Sequence, residues 1–278
     1  MAKHFSRKQL LERLQRELDA GKPLLMFGAG TGLTARCAEL GGADIIAVYS
    51  TAHYRMAAQP SLLAWLPYEN ANELVVRMAK DILPAVKETP CIAGIGAHDP
   101  RLNIEKFIDE LLEMGFCGFT NEPFVGIYGS EFGAQLEAAG LGFSKEVELI
   151  KICHERDLFT VGWAFTADEG RRMAEAGADV IGAIVGVTAG GLTGASKTQK
   201  LEHAAAQIQE ICQAAKAVNP DIMVLTHGGP FKDVETAEYS LLHTDAVGYA
   251  SGSSGERIPT ESSVIEITKQ YKKIRTSK

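Results

Sequence analysis

The sequence predicts an α/β fold: a single (β/α)8 TIM barrel with an extra N-terminal helix. Three observations carry this. Eight short, nearly continuous apolar runs read as strands buried on both faces, as in a parallel sheet. Amphipathic helical stretches separate most of them. The strand ends recur about every 32 residues between Phe27 and Ala250, a pitch that suits an eightfold repeat. A doubly wound sheet is the runner-up. It usually has fewer strands and needs a separate substrate domain, for which the chain has no room. No internal linker is visible, so 1–278 reads as one domain, with 1–20 as a capping helix and 23–275 as the barrel.

Taken in order, Ser6-Arg7-Lys8-Gln9 is a capping box, followed by the apolar stripe Leu10, Leu11, Leu14 and Leu18. A helix there closes the N-terminal end of the barrel or, alternatively, meets a partner. The strands are 24–27, 44–49, 91–95, 116–119, 159–164, 180–185, 222–226 and 246–250. Helical spacing marks 72–86, with Pro84 near its end, then 104–112, 145–154, 168–175, the Ala-rich 200–218, 234–242 and 261–274. The segment from Ser50 through Tyr68 reads as a long loop.

Composition narrows the class. Of 278 residues, 46% are apolar and 23% charged, ordinary for a folded globular chain. A net charge of −7 argues against a nucleic-acid surface and against attraction to anionic lipid. No apolar run reaches membrane-spanning length, and no secretory signal precedes the first helix. Five scattered cysteines without a CxxC fit a reducing cytoplasm. The expected partners are therefore a small anionic substrate and further copies of the chain, since most oligomers are symmetric homo-oligomers.

In barrels of this kind chemistry sits in the loops at the carboxyl ends of the strands. Strand 1 runs into Gly28-Ala29-Gly30-Thr31-Gly32, where glycines admit a ligand or make a tight turn. The pattern is not the GxGxxG of a dinucleotide site, and no organic cofactor is expected. His53 and Arg55 follow strand 2, and Arg55 is suited to a carboxylate or phosphate. His98 and Asp99 follow strand 3; Asn121 and Glu122 follow strand 4. A carboxylate at the depth of Glu122 is costly unless hydrogen-bonded, metal-bound or protonated, which qualifies it for acid–base work. Asp99 and Glu122 are also the candidate ligands of Mg2+ or another divalent cation. Trp163 reads as a pocket wall, and the Gly-rich loop 186–197 as a lid carrying Lys197.

His227-Gly228-Gly229-Pro230 ends strand 7, and Ser251-Gly252-Ser253-Ser254-Gly255-Glu256-Arg257 ends strand 8. Loops after these two strands are the usual phosphate site of the fold. Exposed backbone N–H groups and hydroxyls there suit an anion. No lysine lies in any strand, which disfavours a Schiff-base aldolase.

Several of these stretches occur together in a known order. They are Tyr54-Arg55-Met56, Asp99-Pro100, Asn121 with Pro123, Ala176-Gly177-Ala178-Asp179, Thr226-His227-Gly228-Gly229-Pro230 and Glu256-Arg257-Ile258-Pro259-Thr260-Glu261. In these the chain resembles the phosphoenolpyruvate hydrolase-like TIM-barrel family, also described as predicted TIM-barrel signal-transduction proteins. It is similar to the C-terminal domain of the plant tobamovirus-resistance protein. The resemblance implies a barrel of the phosphoenolpyruvate/pyruvate-binding superfamily and pocket roles for Arg55, Asp99, Asn121, His227, Gly228, Gly229, Glu256 and Arg257. Glu122 departs from the family pattern, and the acidic metal cluster typical of phosphonopyruvate enzymes is not evident.

The leading functional reading is a hydrolase or lyase acting on a small phosphorylated or carboxylated keto/enol acid. Glu122, Asp99 and His227 are its proton-transfer candidates, with Arg55 and Glu256 beside them. The loops 227–230 and 251–255 would hold the anion. A non-catalytic ligand-sensing or protein-interaction module is the alternative, and a flavin-dependent oxidase or dioxygenase the third.

Overall fold

The computed structural model describes residues 3–276. Eight parallel strands form a closed barrel in sequence order. They are β1 (Leu24–Gly28), β2 (Ile45–Val48), β3 (Cys91–Ile95), β4 (Gly118–Asn121), β5 (Phe159–Ala164), β6 (Val180–Ile184), β7 (Met223–His227) and β8 (Gly248–Ser251). Closure is made by β1 against β8, with Leu24 opposite Gly248 and Phe27 opposite Ser251. Every strand residue is buried except Leu25 and His227. Burial on both faces is why the strands appear in the sequence as unbroken apolar runs.

The helices are α1 (Arg7–Asp19), α2 (Gly32–Leu40), α3 (Ser50–Met56), α4 (Ala71–Ala85), α5 (Ile104–Met114), α6 (Gly129–Ala138), α7 (Phe143–Glu155), α8 (Ala167–Glu175), α9 (Leu201–Val218), α10 (Val234–Leu242) and α11 (Arg257–Lys272). Short 3-10 turns occupy Ser61–Trp65 and Val125–Tyr128. No helix among the described residues is long and apolar enough to cross a membrane.

Helix α1 packs against the N-terminal end of the barrel. Ser6 Oγ accepts from the Gln9 amide at 3.3 Å, and Gln9 Oε1 accepts from the Ser6 amide at 2.9 Å. Leu10 and Leu14 are fully buried. Arg7 forks onto Asp179, just before β6, at 2.8–3.1 Å, and reaches Asp157 at 3.1 Å. Asp179 also accepts from the Thr160 amide at 3.0 Å.

The structure corrects the sequence reading in several places. The expected loop after β2 begins as α3 and continues through the 3-10 turn at Ser61–Trp65. Helices α2 and α6 are additional. In α2 only Ala35 is buried, and α6 buries no residue, so neither shows an apolar stripe. Helix α11 starts at Arg257, four residues before the expected start, because Pro259 sits in its first turn, where proline is tolerated. Arg257 is its one buried residue, and Val264, Ile265, Ile267 and Tyr271 face outward.

Candidate active site

A small cavity, about 50 Å³, lies at the carboxyl end of the barrel. Tyr49, Thr51 and Arg55 reach it from the β2 side, Glu122 and Phe124 from β4, and Trp163 from β5. Ile184 and Thr188 come from the β6 side, His227 from β7 and Ser253 from β8. Residues after six strands therefore converge on one space.

Glu122 forms one wall and is 2% exposed. Its carboxylate accepts from the Ser50 amide at 3.1 Å, the Ser50 hydroxyl at 3.2 Å and the Thr51 amide at 3.4 Å. These amides open α3, whose own preceding residue, Tyr49, supplies no side-chain cap. A carboxylate from β4 thus caps a helix after β2. Burial pushes the Glu122 carboxyl up to about 7, outweighing the hydrogen bonds from Thr51 and Ser50. A group poised there can take or give a proton near neutral pH.

Arg55 and Glu256 form a buried ion pair, 4% and 1% exposed. Arg55 Nε donates to Glu256 Oε2 at 2.5 Å, and Nη2 donates to the Gly28 carbonyl. Burial works against the Arg55 charge, but Glu256 and Tyr49 together more than offset it and hold the guanidinium above its ordinary range. Glu256 Oε1 accepts from the Gly30 amide and the Thr34 hydroxyl, each at 2.6 Å. The Gly-rich turn after β1 therefore grips Glu256. At Gly28 a Cβ would collide with the Tyr49 hydroxyl and crowd Arg55, so glycine is required by close approach. The third guanidinium nitrogen, Nη1, lies by Gly252 next to His227.

His227 Nδ1 is 2.6 Å from the Ala250 carbonyl. A carbonyl only accepts, so Nδ1 carries the proton and Nε2 presents a lone pair. Burial pushes the imidazole down to about 4, so it is neutral at pH 7. The Trp163 ring packs on it at 5.2 Å between centroids. Trp163 is 2% exposed, and its Nε1 is buried with no hydrogen-bond partner.

Other expected site residues have their polar atoms committed to the protein. Asn121 is fully buried, with Oδ1 accepting from the Trp163 amide at 2.7 Å and Nδ2 donating to Glu146. Arg257 holds the Gly190 carbonyl at 2.9 Å and Glu261 at 2.8 Å, pinning the loop after β6. The Gly229 amide donates to the Gly186 carbonyl at 3.0 Å, and Gly228 shares that turn at a φ of +80°. The hydroxyls of Ser251 and Ser254 pair at 3.2 Å. Lys197 lines a neighbouring surface cavity with Ser61, Thr193 and Gly229.

Asp99 stands apart from Glu122. It lines an outer cleft of about 950 Å³ between Tyr68, Arg77, His98 and Tyr128. Arg101 holds its carboxyl below the usual range, and Asn70 donates to it as well. The two proposed metal ligands share no cavity. Among the described residues no group of three or more His, Cys, Asp or Glu side chains is placed to hold a metal ion.

Glu146 was missed by sequence reasoning. It is fully buried, accepts from the Val125 amide at 2.7 Å, and meets His98 Nε2 at 3.2 Å. Burial pushes its carboxyl up to about 8 and His98 down, so both tend to their neutral forms. Its spacing with Ile150 and Cys153 on the buried face of α7 was the available signal. By holding Val125, Glu146 holds the segment that carries Phe124 into the cavity wall.

The structure is a closed parallel TIM barrel that gathers Glu122, His227 and Arg55 at one cavity at its carboxyl end. The chain belongs to the phosphoenolpyruvate hydrolase-like family, whose model matches residues 9–274. It is 41% identical over 266 residues to a tomato (Solanum lycopersicum) protein named ToMV susceptible protein tm-1(GCR26), covering 95% of this chain and 35% of that one. It is 31% identical over 275 residues to a Sinorhizobium fredii protein named putative transcriptional regulatory protein y4pA, covering 98% and 45%. The chain thus spans about a third to a half of these relatives' lengths.

Among solved structures, the barrel is similar to phosphonopyruvate hydrolase in complex with oxalate and Mg2+. The TM-score is 0.59 at 15% identity, with 95% of this chain and 87% of that chain covered. It is equally similar to 2,3-dimethylmalate lyase, with a TM-score of 0.59, 15% identity, and 99% and 92% covered. At these identities the likeness is one of fold.

Proposed function

We propose that the chain is an enzyme acting on a small carboxylated or phosphorylated keto/enol acid at the carboxyl end of the barrel. The observation that carries this reading is the convergence of Glu122, His227, Arg55 and Ser253 on one cavity. Glu122 exchanges the proton at the carbon next to the substrate carbonyl. Arg55 and the Trp163 N–H meet the negative charge that develops on oxygen when that proton leaves. His227, neutral, accepts a hydrogen bond from a substrate hydroxyl or enol. Phe124, Trp163, Ile184 and Trp65 keep bulk water from the reacting carbon.

The names of the related folds, phosphonopyruvate hydrolase and dimethylmalate lyase, suit the same substrate class. The outer cleft supports the second reading, a non-catalytic binding module, because its charged residues pair with one another: Asp99 with Arg101 and Glu69 with Arg77.

The test is turnover followed by 31P and 1H NMR on phosphoenolpyruvate, phosphonopyruvate and 2-hydroxy acids. Product from one of these, lost in Glu122→Gln, is the expected result. No turnover of any, with the same acids displaced from no site, would move the weight to the binding module.

A further inference from the structure

A solved structure of similar fold, phosphonopyruvate hydrolase, is in complex with oxalate and Mg2+. The residues at the mouth of this barrel do not fit such an ion. Magnesium takes an octahedron of oxygens and is usually bound through one or two carboxylates free to face it. The carboxylate that lines the cavity, Glu122, and the one that pairs with Arg55, Glu256, are both committed to N–H and O–H donors. Glu122 faces the amides that open α3 and the Ser50 hydroxyl. Glu256 faces the Gly30 amide, the Thr34 hydroxyl and Arg55 Nε. A cation there would have to share carboxylate oxygens at which these N–H and O–H groups, and the Arg55 guanidinium, already point their positive ends. Asp99 is in the outer cleft, paired with Arg101.

What lines the cavity instead is a set of donors. Arg55 supplies a positive charge held in place by Glu256 and the Gly28 carbonyl. Its Nη1 sits beside Gly252, where a Cβ would come within 3.2 Å of it. Trp163 lines the cavity and carries a buried Nε1–H with no acceptor, a costly state that a ligand within its reach would relieve. Ser253 and Thr51 add hydroxyls. A guanidinium matches the planar fork of a carboxylate, which a hydrated metal ion does not require.

We propose that this cavity binds a small carboxylate by direct contact with Arg55, Trp163 and Ser253, the guanidinium supplying the positive charge and no divalent cation taking part. This rests on the reading of the cavity as an anion site. It specifies how that site recognises its ligand.

The experiment is calorimetric titration of oxalate into the full chain, once in EDTA and once in excess Mg2+. Equal affinity for free oxalate in both is expected, after correction for the oxalate that Mg2+ complexes in solution. Trp163→Phe, which keeps the ring and removes only the N–H, should weaken it about tenfold. Arg55→Lys should weaken it further, with folding checked by circular dichroism. In parallel, the free Mn2+ signal in electron paramagnetic resonance should be unchanged by protein with or without oxalate. Binding that appears only with Mg2+, or capture of Mn2+, would overturn direct recognition and leave the anion site standing. Oxalate binding in neither condition would overturn both.

Discussion

The two ends of the barrel use similar residues to different effect. At the N-terminal end, Arg7 spends its guanidinium on Asp179 and Asp157, and Asp179 accepts from the Thr160 amide. Asp44, also at that end, accepts from the Leu25 amide at 2.8 Å. These charges answer one another and close the structure. At the carboxyl end, Arg55 and Glu256 also pair, yet the set around them is incomplete: Trp163 Nε1 lacks an acceptor, and His227 Nε2 presents a lone pair. At the N-terminal end the charges are matched, although the Thr160 hydroxyl is buried without a partner; at the carboxyl end an indole N–H lacks an acceptor beside a guanidinium and an imidazole nitrogen, a set that a ligand would complete.

The sharpest way to break the comparison is Glu256→Ala. It strands the buried Arg55 charge and the Gly30 amide, and should cost roughly 3–5 kcal/mol in urea unfolding. Oxalate binding should fall with it, because Arg55 loses its anchor. An equal loss of binding from a change at the bottom of the barrel would erase the distinction between the ends.

Glu122→Gln sharpens it through pH. The folded carboxyl titrates at about 7, above its ordinary 4.5, so its contribution to stability is full below 4.5 and lost as pH rises through 7. The difference is worth about 3 kcal/mol. Unfolding measured from pH 4 to 8 should show a shallower decline in the variant. Glu146, pushed up to about 8, leaves a residual slope in the same direction. His227 acts oppositely: its folded value of about 4 lies below 6.5, so its contribution is present above 6.5 and lost as pH falls through 4.

Arg7→Ala should cost about 1–3 kcal/mol, by leaving Asp179 with only the Thr160 amide, and should leave oxalate affinity unchanged. Ser6→Ala removes the capping box at an exposed helix end and should cost about 1 kcal/mol, again with no effect on binding. Chemical denaturation and calorimetry on the same samples check both.

The sequence made the strands legible because each is buried on both faces, and β3 and β5 fall on the expected residues. Helices with a buried stripe, such as α4 and α9, were equally plain. Helix α3 was not, because its N-terminus is capped by Glu122 from another strand, and no local pattern records a tertiary cap. Helices α2 and α6 bury too little to leave a period. For the site, strand ends told which residues reach the mouth, and Arg55, Glu122, His227 and Ser253 do line one cavity. They could not tell which atoms were already used. Asn121 ends β4, Gly30 lies in the turn after β1 and Arg257 opens α11, each with polar groups bound to other parts of the chain.

The most direct test of the account is deuterium exchange into the methyl group of pyruvate in D2O, followed by 1H NMR. With Glu122 as the proton-exchanging group, the chain should wash out the methyl signal well above the buffer rate, and Glu122→Gln should abolish the excess. Exchange at the buffer rate with the unaltered chain, or equal exchange with Glu122→Gln, would contradict it.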